Sequence, residues 1–462
     1  MRDLLIALLI AGSLPLIFMR PWVGVLVWVW ISFMNPHLLA WGFARGLPWV
    51  LVVAGITLLM YFTSSDRKTI PLTPITVVWL AYFAWTFVTL LFAVNPEGAW
   101  IEWDRWWRIQ IMVVLVLMAI HTRERLDALV WVVALSIGFY GIKGGIFSVL
   151  TGGQYMVAGP GGFIGGNNEI ALALLMVLPL FWYLRGRTDN IWIQRSMLAS
   201  MGLTALAILA TYSRGAMLGL ATMGFVLWTR TRNRLFSGSL FAVLAVAMLA
   251  FLPDKWFDRM GTIDNFEEDK SAMGRINAWW FAFHLANERP LTGGGFRAFT
   301  AELFMKYAPD PLHFVDAHSI YFEVLGEQGY VGLGLFLTMG VLVVLHTQGT
   351  MRRYRNHPTE SWAAELSAML QVGFIGYAAC GAFLGLSYFD LPYVLMAMVV
   401  LTRIIADRAA AAAARATTVA DAAVAAANVG TTPAPVVPTR RPTIGTPLLP
   451  DRPASRDLRK RS

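Results

Sequence analysis

The chain has 462 residues, of which 57% are hydrophobic and only 14% charged, and its mean hydropathy is +0.58. That composition excludes an ordinary soluble domain, and the repeated apolar runs near span length predict an all-α, polytopic membrane protein. The single cysteine, Cys380, excludes an internal disulfide framework and a multi-cysteine metal site. The net charge of +9 does not point to nucleic acid, because much of the excess sits in short Arg-rich loops that punctuate the apolar runs.

Residues 1–34 are too long for one straight crossing, and Pro15 and Pro21 interrupt them. Arg2 favours a cytoplasmic N-terminus, so residues 1–47 are expected to cross once, as a broken helix or two short ones. Two crossings with an outside N-terminus is the alternative. The run is not read as a cleavable signal, because apolar sequence continues beyond it and no clear small-residue cleavage site follows. Basic loops then follow at 64–68 (SSDRK), 121–125 (HTRER), 185–195, 230–234 (RTRNR) and 352–355 (RRYR). The positive-inside rule puts all of them in the cytoplasm. The connections at 95–105, 151–167, 211–214 and 387–391 are less basic and alternate with them, so they face outside.

Spans are predicted near 48–63, 74–93, 104–120, 126–149, 168–185, 196–211, 214–229, 235–252, 330–346, 362–386 and 390–407, about twelve in all with the N-terminal crossing. The organisation read from this is transmembrane helices over 1–252, one large outside loop at 253–317, and C-terminal transmembrane helices at 318–407. A disordered cytoplasmic tail fills 408–462, where Ala, Pro, Thr and a basic end replace the apolar runs. Its basic residues can touch anionic membrane lipid.

Few residues on the outside can carry chemistry. Asp316 is read as the N-cap of a helix entering the membrane, which puts His318 in its first turn. The positive end of the helix dipole keeps an imidazole there neutral and able to accept a proton. The plainer reading is a polar residue resting at an interface. Arg214, in ATYSRGAML, lies at an outside turn between two spans, where a guanidinium is costly unless it has a task. Its plainer reading is snorkelling to the interface. Arg275 opens a loop helix rich in aromatics, RINAWWFAFHLAN, and is otherwise a solvated loop residue.

Arg105 and Arg108 in IEWDRWWRIQ can extend a site for an anionic substrate or pair with Glu102 and Asp104. Lys143 in YGIKGG sits near the outer end of a span, where it can help draw an anionic substrate. Glu169 follows a Gly-rich loop, GPGGFIGGNNE, whose backbone can approach a sugar or phosphate, or which is simply a flexible connection. The acidic stretch 264–269 (DNFEED) lacks a tight Asp-x-Asp, so it reads as solvated and no metal ligand set is assigned.

The order of SRGA at 213–216, Arg275 before an aromatic helix, PLTGGGF at 290–296 and AHSIYFEVLGEQGYVG at 317–332 resembles the O-antigen ligase superfamily. The superfamily includes ligases, O-antigen polymerases and protein O-oligosaccharyltransferases. The likeness covers roughly 200–390. RPWVGVLVWVWISFMNPHLLAWGF near the N-terminus also resembles ligases linked with exosortase and exopolysaccharide clusters. The resemblance implies a GT-C-like membrane glycosyltransferase without cofactor, in a bacterial inner membrane, with its site facing the periplasm. The donor would be a glycan on undecaprenyl diphosphate and the acceptor a sugar hydroxyl of lipid A–core. By the same match Arg214 and Arg275 bind the diphosphate and His318 is the essential histidine. Ser319 stands where many relatives have Asn.

The chemistry agrees with that assignment. Two arginines stabilise a diphosphate leaving group without metal, and a neutral histidine serves as base. One displacement inverts the anomeric centre. A double displacement needs a carboxylate nucleophile, for which Glu97, Glu102, Asp104 and Glu169 are candidates. A polymerase, with the same donor but another donor-linked chain as acceptor, or a protein O-oligosaccharyltransferase is the closer alternative. A lipid-linked glycan transporter is the competing class, but the chain has no convincing internal repeat and its polar groups cluster at one face.

Overall fold

Apolar runs of span length form helices throughout the computed structural model, which describes residues 1–66, 68–231, 233–236, 238, 239, 242, 243, 246 and 270–429. No strand occurs among the described residues. The helices are α1 (Arg2–Met19), α2 (Pro21–Met34), α3 (Trp49–Thr63), α4 (Pro74–Leu91), α5 (Pro96–Ala119), α6 (Arg123–Leu150), α7 (Asn167–Arg185), α8 (Ile191–Leu209) and α9 (Arg214–Arg230). After the stretch that is not described come α10 (Lys270–Glu288), α11 (Ala301–Tyr307), α12 (Ile320–Tyr354), α13 (Ser361–Gly381) and α14 (Asp390–Val429). Seven of them, α1, α4, α6, α7, α8, α12 and α13, are long and apolar enough to cross a membrane, and α2 and α3 are shorter apolar helices. Most of the span expected near 235–252, the acidic stretch 264–269 and the tail from 430 onward lie outside the described residues.

Local chemistry sets the helix starts. Thr73 and Thr76 form a reciprocal capping box at α4, and Asn95 and Thr122 accept amide hydrogen bonds at the starts of α5 and α6. α7 is apolar around its whole circumference, so it is the buried centre, surrounded by α6, α8, α9 and α13.

Contacts sort the connections between helices into two ends. At one end Arg125 pairs with Asp66 at 3.1 Å, Tyr183 donates to Asp127 at 2.6 Å, and Arg353 pairs with Asp407 at 3.4 Å. These are the basic loops of the sequence. At the other end the loop before α7 meets the turn before α9: the Val157 amide donates to the Ala210 carbonyl at 2.9 Å, and Asn167 to Thr211 O at 2.9 Å. The alternation of basic and less basic connections is thus a real separation in space.

Two expectations change. Residues 1–47 form two short helices folded back on each other rather than one broken helix. The Asp3 carboxylate accepts from the amides of Gly42 and Ala44, each at 3.0 Å, so α1 and α2 form a hairpin that starts and finishes at one end. Pro21 opens α2 and makes the turn, whereas Pro15 is accommodated inside α1. The chain also does not leave helical structure at 408: α14 continues to Val429, because an Ala-rich run has the highest helix propensity. The helical residues from 411 onward form a separate unit, and those from 411 to 423 are exposed.

α12 is two helices end to end. Gly329 has φ 67° and ψ −172°, which breaks the run between Gln328 and Tyr330. The orphaned carbonyls find partners in the Gly-rich loop after α10: Gly294 N donates to Gly326 O and Gly295 N to Glu327 O, both at 2.8 Å, while Tyr330 N donates to Pro290 O at 2.9 Å. PLTGGGF and GEQGYVG are therefore two halves of one backbone joint. Its span part matches the predicted 330–346, and the helix before the break reaches toward His318.

Candidate functional site

α10 is the platform of the site. Its buried face packs Phe281 on Phe304, stacked at 4.3 Å, with Ala278 and Leu285 beside them. The segment 308–319 is laid along this helix by polar pins. Asn277 Nδ2 donates to the carbonyls of Asp310 and His313 at 2.8 and 3.0 Å, and its Oδ1 accepts from the Asp310 amide at 2.9 Å. Gly274 lets the segment come close, since a Cβ there would stand 2.9 Å from His313 Nε2. Trp279 Nε1 donates to Ala317 O at 2.9 Å, and its ring stacks on Phe322 at 5.1 Å. These pins place His318 close to Arg275, one turn before Trp279 on α10.

His318 is not in the first helical turn, and Asp316 is not the cap. The N-cap is Ser319, and the first intrahelical bond runs from Glu323 N to Ser319 O. His318 precedes it with φ 43°, in the left-handed region. The pinned segment reaches α12 across α10 and must turn sharply there, which the left-handed residue accomplishes. The imidazole is half-buried, and its pKa lies below the ordinary 6.5, mainly through burial and then through the charge of Arg275, with Asp316 and Glu169 opposing. The direction agrees with the helix-dipole expectation, but the main causes are burial and a neighbouring guanidinium. Ser319 Oγ beside it is buried without a hydrogen-bond partner.

Arg214 is the first residue of α9, after Ser213, whose hydroxyl accepts from Ala216 N at 3.3 Å. The preceding Tyr212 has φ 56°, and its hydroxyl donates to Gly153 O at 2.8 Å, fixing the turn against the Gly-rich loop. Gly215 lies against Cys380 and Phe383 at the end of α13. Phe383 in turn meets Trp279 at 6.2 Å, and Gly381 meets Ile320. α9, α10, α12 and α13 thus converge where Arg214, Arg275 and His318 stand. Glu169 joins them from the first turn of α7.

Other sequence candidates are separate from this cluster. Arg105 stacks over Phe163 at 3.3 Å and lies 3.8 Å from Glu102. Glu102 also pairs with Arg297 at 3.0 Å, and Arg108 with Asp104 at 2.6 Å. Those ion pairs already engage two of the four carboxylates considered as nucleophiles. Lys143 is exposed on α6 and makes none of the contacts that define the cluster. No group of His, Cys, Asp and Glu suited to a metal ion occurs among the described residues.

Three carboxylates escaped the sequence reading. Glu323, one turn into α12, accepts from Ser387 N at 2.9 Å and Ser387 Oγ at 2.6 Å, within electrostatic reach of Asp316. Glu327 accepts from Arg297 N at 2.8 Å. Asp390 is buried at the start of α14. Each interrupts an apolar run, and an ionisable residue at membrane depth was the available signal.

Comparison with known families gives two matches that follow one another along the chain. Residues 1–189 match a family of unknown function (DUF5935), and residues 199–337 match the O-antigen ligase family. A comparison with curated proteins returned no match. The ligase match holds Arg214, Arg275, His318 and the joint at Gly329, so over residues 199–337 the chain is similar to the O-antigen ligase family, which supports an enzyme of the glycosyltransferase-like ligase or polymerase kind.

Proposed function

We propose that the protein transfers a glycan from undecaprenyl diphosphate to a sugar hydroxyl of lipid A–core at the periplasmic face of a bacterial inner membrane. The observation that carries this reading is a histidine favoured in its neutral form beside a guanidinium, His318 next to Arg275. The two groups divide the reaction. The acceptor oxygen attacks the anomeric carbon while its proton passes to a ring nitrogen of His318. The anomeric C–O bond to the diphosphate breaks, and the leaving group departs with the electron pair. Arg214 and Arg275 take up the charge that develops there, as planar forks suited to phosphate oxygens.

A single displacement of this kind inverts the anomeric centre. That displacement calls on neither Glu169, which stands near His318, nor Glu323, which is held by Ser387, as a covalent nucleophile. The separation of basic and less basic connections supports a periplasmic site, because the end that holds His318 is opposite the basic loops. The test is transfer by purified protein in detergent or liposomes, supplied with glycan on undecaprenyl diphosphate and with lipid A–core. Glycan appearing on lipid A–core is the expected product. Extension of the donor-linked chain instead would identify a polymerase, and no transfer to either would defeat the reading.

A further inference from the structure

A second cavity opens at the same end of the bundle, between α2, α3 and α5. It measures about 510 Å³, and Asp390 of α14 is part of its lining. Its apolar lining includes Trp28, Val50, Leu51, Leu58, Ile111 and Met112. Its polar lining includes Ser32, Asn35, His37, Asp104, Arg105, Arg108 and Asp390. Asp390 is 5% exposed, and its Oδ1 has no hydrogen-bond partner; His37 Nδ1 is likewise buried without one. A buried carboxylate oxygen left unpaired beside a cavity calls for a donor supplied from outside the chain. Arginines and an orphaned acceptor together with apolar lining describe a receptor for an amphiphile that carries both phosphate and hydroxyl groups.

We propose that this cavity binds the acceptor glycolipid. One acyl chain enters between α2, α3 and α5, a headgroup phosphate meets Arg105 and Arg108, and a sugar hydroxyl donates to Asp390 Oδ1. The rest of the glycolipid stays in the bilayer. The inference rests on the transferase reading, which requires two lipids at one face. The donor diphosphate belongs at Arg214 and Arg275, and the cavity shares no residue with that pair. The short segment 163–169 links the two places: Phe163 lines the cavity under Arg105, and Glu169 stands near His318. Both lipids thus meet the same segment from its two ends.

The experiment measures direct binding of lipid A–core and, separately, of undecaprenyl diphosphate to the purified full-length protein by native mass spectrometry, with phosphatidylglycerol as competitor. Gly55 lines the cavity, and a Cβ there meets nothing within 4 Å, so Gly55→Phe fills the space without a clash at the first atom. Asp390→Asn and Arg105→Ala remove the polar contacts, and thermal melts verify folding of all three variants. The expected result is a loss of at least about tenfold in lipid A–core affinity with donor affinity unchanged, a change of about 1.4 kcal/mol or more. Unchanged lipid A–core binding overturns the proposal. So does equal displacement by phosphatidylglycerol, which would mark a bilayer-lipid site, or a parallel loss of donor affinity, which would mark a donor site. If lipid A–core binds here and the wild type transfers nothing to it, the transferase reading fails and the binding site stands. If transfer proceeds while the cavity variants bind lipid A–core normally, the cavity proposal fails alone.

Discussion

At the scale of the residue, the site depends on the charge state of His318. Its pKa is depressed, so in the proposed role of base it stays neutral below the ordinary 6.5, and transfer is expected to persist there. The acid limb of kcat/KM, which reports the free enzyme, is expected below 6.5. Removing Arg275 removes one cause of the depression, so Arg275→Gln should move that limb to higher pH while also weakening donor binding. An acid limb at or above 6.5 in the wild type, or one unmoved in Arg275→Gln, would contradict the coupling. Charge on the leaving group is carried by arginine, so activity should survive EDTA. Loss on chelation with recovery on adding Mg²⁺ or Mn²⁺ would shift attention to the stretch 264–269. The identities of His318, Arg214 and Arg275 were readable because polar residues stand out in apolar sequence. The left-handed backbone at His318 was not, because it follows from the pins of Asn277 and Trp279, which are contacts between segments distant in sequence.

At the scale of the element, the joint in α12 fixes the helix that begins just after the base. Gly329 occupies a backbone region open essentially only to glycine, and a Cβ there would stand 2.3 Å from the Leu291 carbonyl. Gly329→Ala is expected to cost about 1–3 kcal/mol, read as a lower melting temperature, and to reduce transfer as well. Gly340→Ala, further along the same helix where a Cβ meets nothing within 4 Å, is the control and should be neutral or slightly stabilising. Equal melting of the two variants would remove the joint from the account. Helix positions were largely legible from apolar runs between polar loops. The joint was not: PLTGGGF and GEQGYVG each read as a loop or helix signal, and only their pairing across the fold explains both. The extension of α14 was missed for a different reason. Its polar, Ala-rich composition resembled a solvated tail, although alanine propensity alone favours helix.

At the scale of the molecule, the two ends of the bundle give a topology that labelling can check. With Cys380 replaced by Ser, single cysteines at positions 43 and 318 should react from the periplasm, and one at position 66 from the cytoplasm. Position 43 is informative because it is exposed where the α1–α2 hairpin returns. Cytoplasmic labelling at 318 would contradict the mechanism, and opposite labelling of 43 and 318 would contradict the hairpin. The sequence alternation foresaw the separation of the loops. At the N-terminus it favoured a single crossing on the charge of Arg2, with two crossings as the alternative, because the bond from Asp3 to the 42–44 segment was invisible. The central claim is that one neutral histidine activates the acceptor while arginines hold the donor. Its most direct test is His318→Ala, with donor-lipid affinity and single-turnover transfer measured on the same folded preparation. The account predicts unchanged donor affinity and transfer slowed by about 10²–10⁴-fold; normal transfer, or lost donor binding with the catalytic step intact, would contradict it.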